Sequence, residues 1–363
     1  MKIAIVHYWL ISMRGGEKVV ESLCELYPQA DIYTHVYNPD KISETIKKHK
    51  IYTTFINKLP FAKRYYQTYL PLMPLALEQL DLREYDLIIS TESGPAKGII
   101  PSPSAFHISY VHTPMRYVWD MYPDYKKSVG LLKKWLMIPI THYLRMWDVS
   151  TASRVDAFIT NSFYVKQRVE KYYRRNATVI HAPVETDQFK PSDETEDFYL
   201  MIGQLVRYKR ADLVVDAFNQ LNKKLVIIGE GELFSELQNK AGKNIILKGW
   251  QPFEVIQEHY SKCKALIFPG VEDFGIVPVE AMASGRPVIA FGKGGALETV
   301  VEGVTGMFFK EQTPECLIET VEKFEAKIND FSSEQIRAHA EKFSKDIFKK
   351  KMREFINKTI SEQ

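Results

Sequence analysis

Residues 265–290 read ALIFPGVEDFGIVPVEAMASGRPVIA. Ala265 to Phe268 is a short apolar run of the kind that makes a parallel strand buried on both faces. The loop after it contains Gly275, which lets the backbone approach a ligand closely. A helix follows that tolerates Pro278 in its first turn and stops at Gly285. Val288 to Ala290 then begins the next strand. This strand, loop, helix and strand form a β-α-β unit, and such units build parallel sheets whose ligand sites lie in the loops after the strands.

The two acids of this stretch occupy different stations. Glu272 lies in the loop and Glu280 inside the helix. Between them Asp273, Phe274, Gly275 and Ile276 span a helix N-terminus, where backbone N–H groups make a natural seat for phosphate.

Outward from this unit, short apolar runs alternate with helical patterns along the whole chain, so the fold class is α/β with doubly wound parallel sheets. Strands are expected at Lys2 to Val6, Asp31 to Thr34, Leu87 to Ser90, His107 to Val111 and Ala157 to Thr160 in the first half. In the second half they are expected at Tyr199 to Ile202, Leu225 to Ile228, Ile245 to Leu247, Ala265 to Phe268, Val288 to Ala290 and Met307 to Phe309. Pro183, Pro191 and the acidic run Asp193, Glu194, Glu196 and Asp197 break both periodicities. The expected domains are therefore 1–182 and 183–340, with a charged terminal helix at 341–363.

Composition narrows the function. The chain has 363 residues, 45% hydrophobic and 26% charged, with a net charge of +3. That near balance gives no case for a bulk nucleic-acid binder. Cys24, Cys263 and Cys316 are scattered, so neither a disulfide framework nor a structural zinc site is expected, and a reducing cytoplasm fits. The opening MKIAIVHYWL reads as a buried strand rather than a cleaved leader. No run reaches the roughly 18 to 20 apolar residues needed to cross a bilayer.

The charge is unevenly spread. Residues 1–180 hold 24 basic and 16 acidic side chains, a net of +8, while the remainder nets −5. Between Glu44 and Glu78 no acid occurs, and Lys47, Lys48, Lys50, Lys58, Lys63 and Arg64 alternate with Tyr52, Phe55, Phe61, Tyr65, Tyr66 and Tyr69. Lys126 to Trp147 repeats the theme with Lys133, Lys134, Trp135, Leu136, Met137, Ile138 and Trp147. Basic side chains near anionic lipid contribute about 1 kcal/mol each and aromatics settle at headgroup level. Each segment also reads as ordinary helix with a solvated basic face and a buried apolar one, but both fall in the same half, so an anionic membrane surface is the expected partner.

Three further loops follow expected strands. Gly203-Gln-Leu-Val-Arg-Tyr-Lys-Arg210 places Gly203, Arg207, Lys209 and Arg210 beside a strand end. Arg14, Gly15 and Gly16 open the first helix, where a glycine pair permits a tight turn. His112 follows a strand within YVHTPMRYVWD, with Arg116 and Asp120 in the same loop. Gly292-Lys-Gly-Gly295 is read both as a second backbone contact to a ligand and as a structural turn. Gly229-Glu-Gly231 lacks the third glycine of a dinucleotide fingerprint, which leaves a dehydrogenase a distant alternative.

Taken together these motifs resemble the GT-B glycosyltransferases of family four, a retaining group that uses nucleotide sugars. EDFGIVPVE is similar to that family's E-x7-E element, and GQLVRYK to its G-R-L-x-x-x-K motif, with Gln204 where the family usually has Arg. The resemblance implies two Rossmann-like domains facing across a cleft, with the C-terminal helix returning to the N-terminal domain. It implies catalytic roles for His112, Lys209 and Glu272. Donor binding would fall to Gly15, Gly16, Gly203, Arg207, Arg210, Asp273, Phe274, Gly275, Ile276 and Glu280. Arg14, Arg116 and Asp120 are weaker acceptor-side candidates. Lys209 and the amides near Gly275 would neutralise the leaving diphosphate, so no metal or other cofactor is expected.

The motifs at 112–120, 183–189 and 207–212 are similar to a bacterial subgroup that builds O-antigen and other surface polysaccharides. GDP-mannose is thereby favoured as donor over a UDP-hexose, a lipid-linked saccharide as acceptor, and the inner face of the cytoplasmic membrane as location. The rivals are a nucleotide-sugar 2-epimerase and a silent nucleotide-sugar-binding subunit, the latter suggested by Gln204 alone.

Overall fold

The computed structural model describes residues 1–128 and 130–361. The chain divides into two compact units, Met1–Pro183 with Phe348–Gln363, and Val184–Ile347.

Among the described residues the first unit has seven strands. They are β1 (Ile3–His7), β2 (Asp31–Thr34), β3 (Ile51–Thr53), β4 (Leu87–Glu92), β5 (Phe106–Val111), β6 (Ala157–Thr160) and β7 (Ala177–Val179). All pair in parallel, in the order β3-β2-β1-β4-β5-β6-β7. The second unit has β8 (Tyr199–Ile202), β9 (Leu225–Ile228), β10 (Ile245–Leu247), β11 (Ala265–Phe268), β12 (Val288–Phe291) and β13 (Gly306–Phe309). These run β10-β9-β8-β11-β12-β13, also all parallel. Both are Rossmann-like orders that reverse at one point, between β1 and β4 and between β8 and β11.

The central strands β1, β4, β5, β9, β11 and β12 are buried at every residue, which is why they read as continuous apolar runs. The two strands missed by the sequence reading, β3 and β7, are three-residue edge strands with half-exposed positions. Their Thr and Tyr residues do not form an apolar run, and the pairing is supplied by the neighbouring strand. Tyr52 of β3 stacks on Tyr33 of β2, with ring centroids 4.8 Å apart.

The helix Lys345–Ser361 buries Phe348, Met352 and Ile356, one stripe at a spacing of four. Phe348 lies edge-on to Tyr110 of β5, and Lys349 pairs with Glu25 at 3.1 Å, both within the first unit. The joint falls at 347 rather than 340 because Val184 donates to the Phe343 carbonyl and accepts from the Lys345 amide, each at 3.0 Å. That pairing keeps residues 341–347 with the second unit.

The basic aromatic segment 44–78 is a chain of short helical turns around β3, with Phe61 largely exposed in a left-handed conformation (φ 52°). The helix Leu131–Thr151 buries Leu144 and Trp147 on one side. On the other it exposes Leu131 (77%), Leu132 (76%) and Trp135 (72%) beside Lys133 and Lys134. Among the described residues no helix is long and apolar enough to cross a membrane.

Candidate functional site

In the second unit the strand order itself assembles the site. Because β8 and β11 are neighbours at the reversal point, the loop after β8 and the loop after β11 lie side by side. Lys209 ends the turn Arg207–Lys209, and its ammonium forms an ion pair with Glu272 Oε1. Both side chains are partly open to solvent, 21% and 18%. Gly270 lies close beneath this turn, where a β-carbon would come within 3.2 Å of the Lys209 Cα and 3.3 Å of the Tyr208 carbonyl.

Gly275 takes φ 93° and caps the helix Ile276–Ala283. The first-turn amides of Gly275, Ile276 and Val277 have no carbonyl four residues back within that helix. Phe274 is buried against Phe343, 5.7 Å between centroids, which fixes the loop from below. Gly203 also has a positive φ (153°), and a β-carbon there would meet nothing within 4 Å. The backbone at Gly203 therefore faces open space beside the Lys209 turn.

Glu280 is oriented by Tyr260, whose buried hydroxyl donates to Glu280 Oε2 at 2.8 Å. Tyr260 was not singled out from the sequence, and nothing in its helix, Phe253–Lys262, marks it. The Gly292–Gly295 turn packs against the Glu272 loop. Gly295 N–H donates to the Glu272 carbonyl at 2.9 Å, a β-carbon on Gly294 would approach that carbonyl at 2.6 Å, and one on Gly295 would strike the Phe274 backbone. These glycines shape the Glu272 loop from behind. Arg210 turns its guanidinium to Asp212 at 3.2 Å, while Arg207 is exposed. Asp273 lies between Glu272 and Phe274 and is half-buried.

In the first unit His112 follows β5, and its amide donates to the Glu92 carbonyl at 2.8 Å. Burial lowers its pKa to about 4, so the ring is neutral at ordinary pH. Gly16 lies directly against it, since a β-carbon there would come within 3.5 Å of His112 Nε2. Gly15 begins the helix Gly15–Leu26, and Glu17 in its first turn accepts from the Arg14 amide at 3.0 Å. Burial raises the Glu17 carboxyl to about 7. Asp120 pairs with Arg168 at 3.1 Å, and Arg168 also donates to Thr113 at 3.0 Å, which ties the 112–120 loop to the helix Phe163–Tyr173. The Arg116 guanidinium lies 3.9 Å from the Met121 sulfur. The structure thus brings Gly16 and His112 together in one unit and Lys209, Glu272 and the Gly275 helix together in the other. Among the described residues no three His, Cys, Asp or Glu side chains form a metal ligand set.

Comparison with known proteins matches this division. Residues 13–188 match the model of "Glycosyltransferase Family 4", and residues 184–343 that of "Glycosyl transferases group 1". An uncharacterised glycosyltransferase of Methanocaldococcus jannaschii is 31% identical over 171 residues, 46% of this chain and 48% of that protein. A GDP-mannose-dependent alpha-(1-6)-phosphatidylinositol monomannoside mannosyltransferase of Mycolicibacterium smegmatis is 26% identical over 47% of this chain and 53% of its own. The chain spans about half the length of these curated relatives. The crystal structure of Anabaena HepE in complex with UDP aligns over 99% of this chain and 100% of that one, with a TM-score of 0.73 at 16% identity. That likeness concerns the fold, which is the two-domain GT-B architecture. With one half matching each of the two models, the chain belongs to the family four, group 1 glycosyltransferases.

Proposed function

We propose that this protein moves a hexose from a nucleotide sugar to a saccharide acceptor with retention of the anomeric configuration, and that the donor is GDP-mannose. The observation that carries the proposal is the Lys209–Glu272 pair at the reversal point of the second sheet, beside the Gly275 helix N-terminus and the Tyr260-oriented Glu280.

The chemistry follows from charge. The bond between the sugar carbon and the diphosphate oxygen breaks, negative charge grows on that oxygen, and the acceptor oxygen bonds the same carbon. Its proton passes to the departing phosphate. Lys209 and the amides of Gly275 and Ile276 stabilise the growing charge, the role that oriented donors fill in a water-poor site. When the diphosphate takes the ammonium, Glu272 is released to accept sugar hydroxyls, while Glu280, held by Tyr260, accepts from the ribose. Arg207, exposed and beside the same turn, supplies the charge that Gln204 lacks, since Arg210 is engaged with Asp212. His112, as a neutral ring, serves a substrate hydroxyl rather than a phosphate. The reading requires no divalent metal, since these cationic and amide donors carry the neutralisation.

GDP-mannose is supported by the mycobacterial relative, which is GDP-mannose-dependent; UDP in HepE supports a UDP-hexose as the second reading. The acceptor is a lipid-linked saccharide, reached from the inner face of the cytoplasmic membrane. Leu131, Leu132 and Trp135, with Lys133 and Lys134, suit contact with an anionic bilayer at headgroup depth.

The test is transfer from a panel of GDP- and UDP-sugars to a lipid-diphosphate saccharide, with and without EDTA. Mannose transfer from GDP-mannose that survives chelation supports the reading, and full dependence on added Mg²⁺ or Mn²⁺ rejects it. Pelleting with phosphatidylglycerol vesicles at low salt tests the membrane contact. Wild type should pellet and a Leu132→Ser, Trp135→Ser variant should remain in the supernatant.

A further inference from the structure

We infer that His7, together with His112, holds a hydroxyl of a hexose at the Gly15–Gly16 turn of the first unit. The inference rests on the sugar-transfer reading above and adds a contact residue that no motif marked. His7 ends β1, is 1% exposed, and sits opposite Thr91 in the β1–β4 register, with Nδ1 2.5 Å from the Thr91 hydroxyl. Its other ring nitrogen, Nε2, is buried with no hydrogen-bond partner, as are His112 Nε2 and the Tyr117 hydroxyl. A buried polar atom left unpaired costs about 1–3 kcal/mol, and folded proteins keep few of them.

The two histidine rings share a neighbourhood. The point where a β-carbon on Gly16 would sit is 3.5 Å from His112 Nε2, 3.5 Å from His7 Cε1 and 2.5 Å from the Tyr8 hydroxyl. Any side chain at position 16 would strike Tyr8, so the turn stays narrow and polar. Gly15, Gly16 and His112 border solvent, which gives a ligand an approach.

The chemistry of the cluster selects an alcohol. Burial holds the His7 and His112 rings neutral, so each presents either one N–H or one lone pair at Nε2. A hydroxyl carries one proton and two lone pairs and can serve both rings. A phosphate oxygen only accepts, and it would also face the buried Glu17 carboxyl in the first turn of the same helix. The hydroxyl can belong to the donor hexose or to the acceptor saccharide.

The experiment compares the full-length wild type with His7→Phe and His7→Gln by calorimetric titration with GDP-mannose, UDP-glucose and GDP, and by transfer kinetics. His7→Phe should lower affinity for the sugar nucleotide about tenfold with GDP affinity unchanged, if the donor supplies the hydroxyl. It should instead raise the acceptor KM about tenfold, if the acceptor does. His7→Gln, which retains an N–H, should recover most of either loss. Unchanged values in all assays, or an equal loss for GDP itself, overturn the inference while leaving the sugar-transfer reading intact. A wild type that binds neither sugar nucleotide overturns both. Nitrogen-15 shifts of the His7 ring in the unmutated protein give a second readout free of folding effects. They should move on saturation with substrate sugar and not with GDP, and an unmoved Nε2 contradicts the assignment.

Discussion

The two units reverse their strand order in the same way, yet they treat polar groups at that point differently. The first buries them. Lys97 is wholly enclosed with Glu92 at 3.0 Å, with Asp148 and with the Tyr173 hydroxyl at 3.4 Å, and Trp119 donates to Asp148 at 2.7 Å. His7, His35, His107 and His112 are held neutral by burial nearby or in the same sheet. The second unit keeps Lys209 and Glu272 partly in water and spends its buried arginine, Arg286, on the carbonyls of Ser192, Glu194 and Ser261. Desolvated groups need all their partners at once, whereas a half-exposed ion pair can be opened by a charged ligand. The first unit thus encloses its ion cluster, while the second leaves its ion pair open to solvent, as the proposed pyrophosphate seat requires.

Lys97→Met strains that contrast most. It leaves two buried carboxylates without their ammonium and should destabilise the first unit by about 3–5 kcal/mol. Hydrogen exchange should show faster amides in β4 and β5 with β8 to β13 unchanged, and uniform loosening of both units would break the comparison. Lys209→Ala should lower turnover by about 10²–10³-fold, as removal of a charge-stabilising donor does, with the thermal midpoint held. Turnover within threefold of wild type would remove Lys209 from the chemistry.

Acid sharpens the difference next. His107 has a folded pKa of about 4, below its ordinary value of 6.5, so the stability tied to its neutral form is complete above pH 6.5 and lost as pH falls through 4. The loss is roughly 3 kcal/mol for this group. Glu17 has the opposite sign. Its folded pKa of about 7 lies above 4.5, so its contribution is complete below pH 4.5 and lost as pH rises through 7. Glu17→Gln should remove that second trend and leave the first, as read by denaturant titration across pH 4–8. The smallest effect belongs to Tyr260→Phe, which removes one hydrogen bond to Glu280 and should weaken donor binding several-fold, in keeping with a loss of about 1 kcal/mol.

What the chain disclosed in one dimension was its local grammar. The central strands announced themselves because burial on both faces demands unbroken apolar runs, and the 272–280 stretch did so because its glycine, proline and acids have fixed local meanings. Edge strands β3 and β7 did not, since their pairing is lent by neighbours. Neither did the Lys209–Glu272 pair, because its partners meet only once β8 and β11 lie side by side. Tyr260, Gly270, Gly294 and His7 stayed silent for the same reason. Each acts through a contact made by residues distant in the chain. Trp147 was read among surface aromatics and is instead buried against its own unit, which the helical phase within Leu131–Thr151 could have signalled.

The central claim is that an activated sugar lays its pyrophosphate on the second unit between Lys209 and the Gly275 helix. The most direct test is a crystal structure with GDP-mannose or UDP-glucose bound. The account predicts phosphate oxygens within hydrogen-bond distance of the Lys209 ammonium and the Gly275 and Ile276 amides, with the Lys209–Glu272 pair opened. A pyrophosphate lying elsewhere, with that pair still closed, would contradict it.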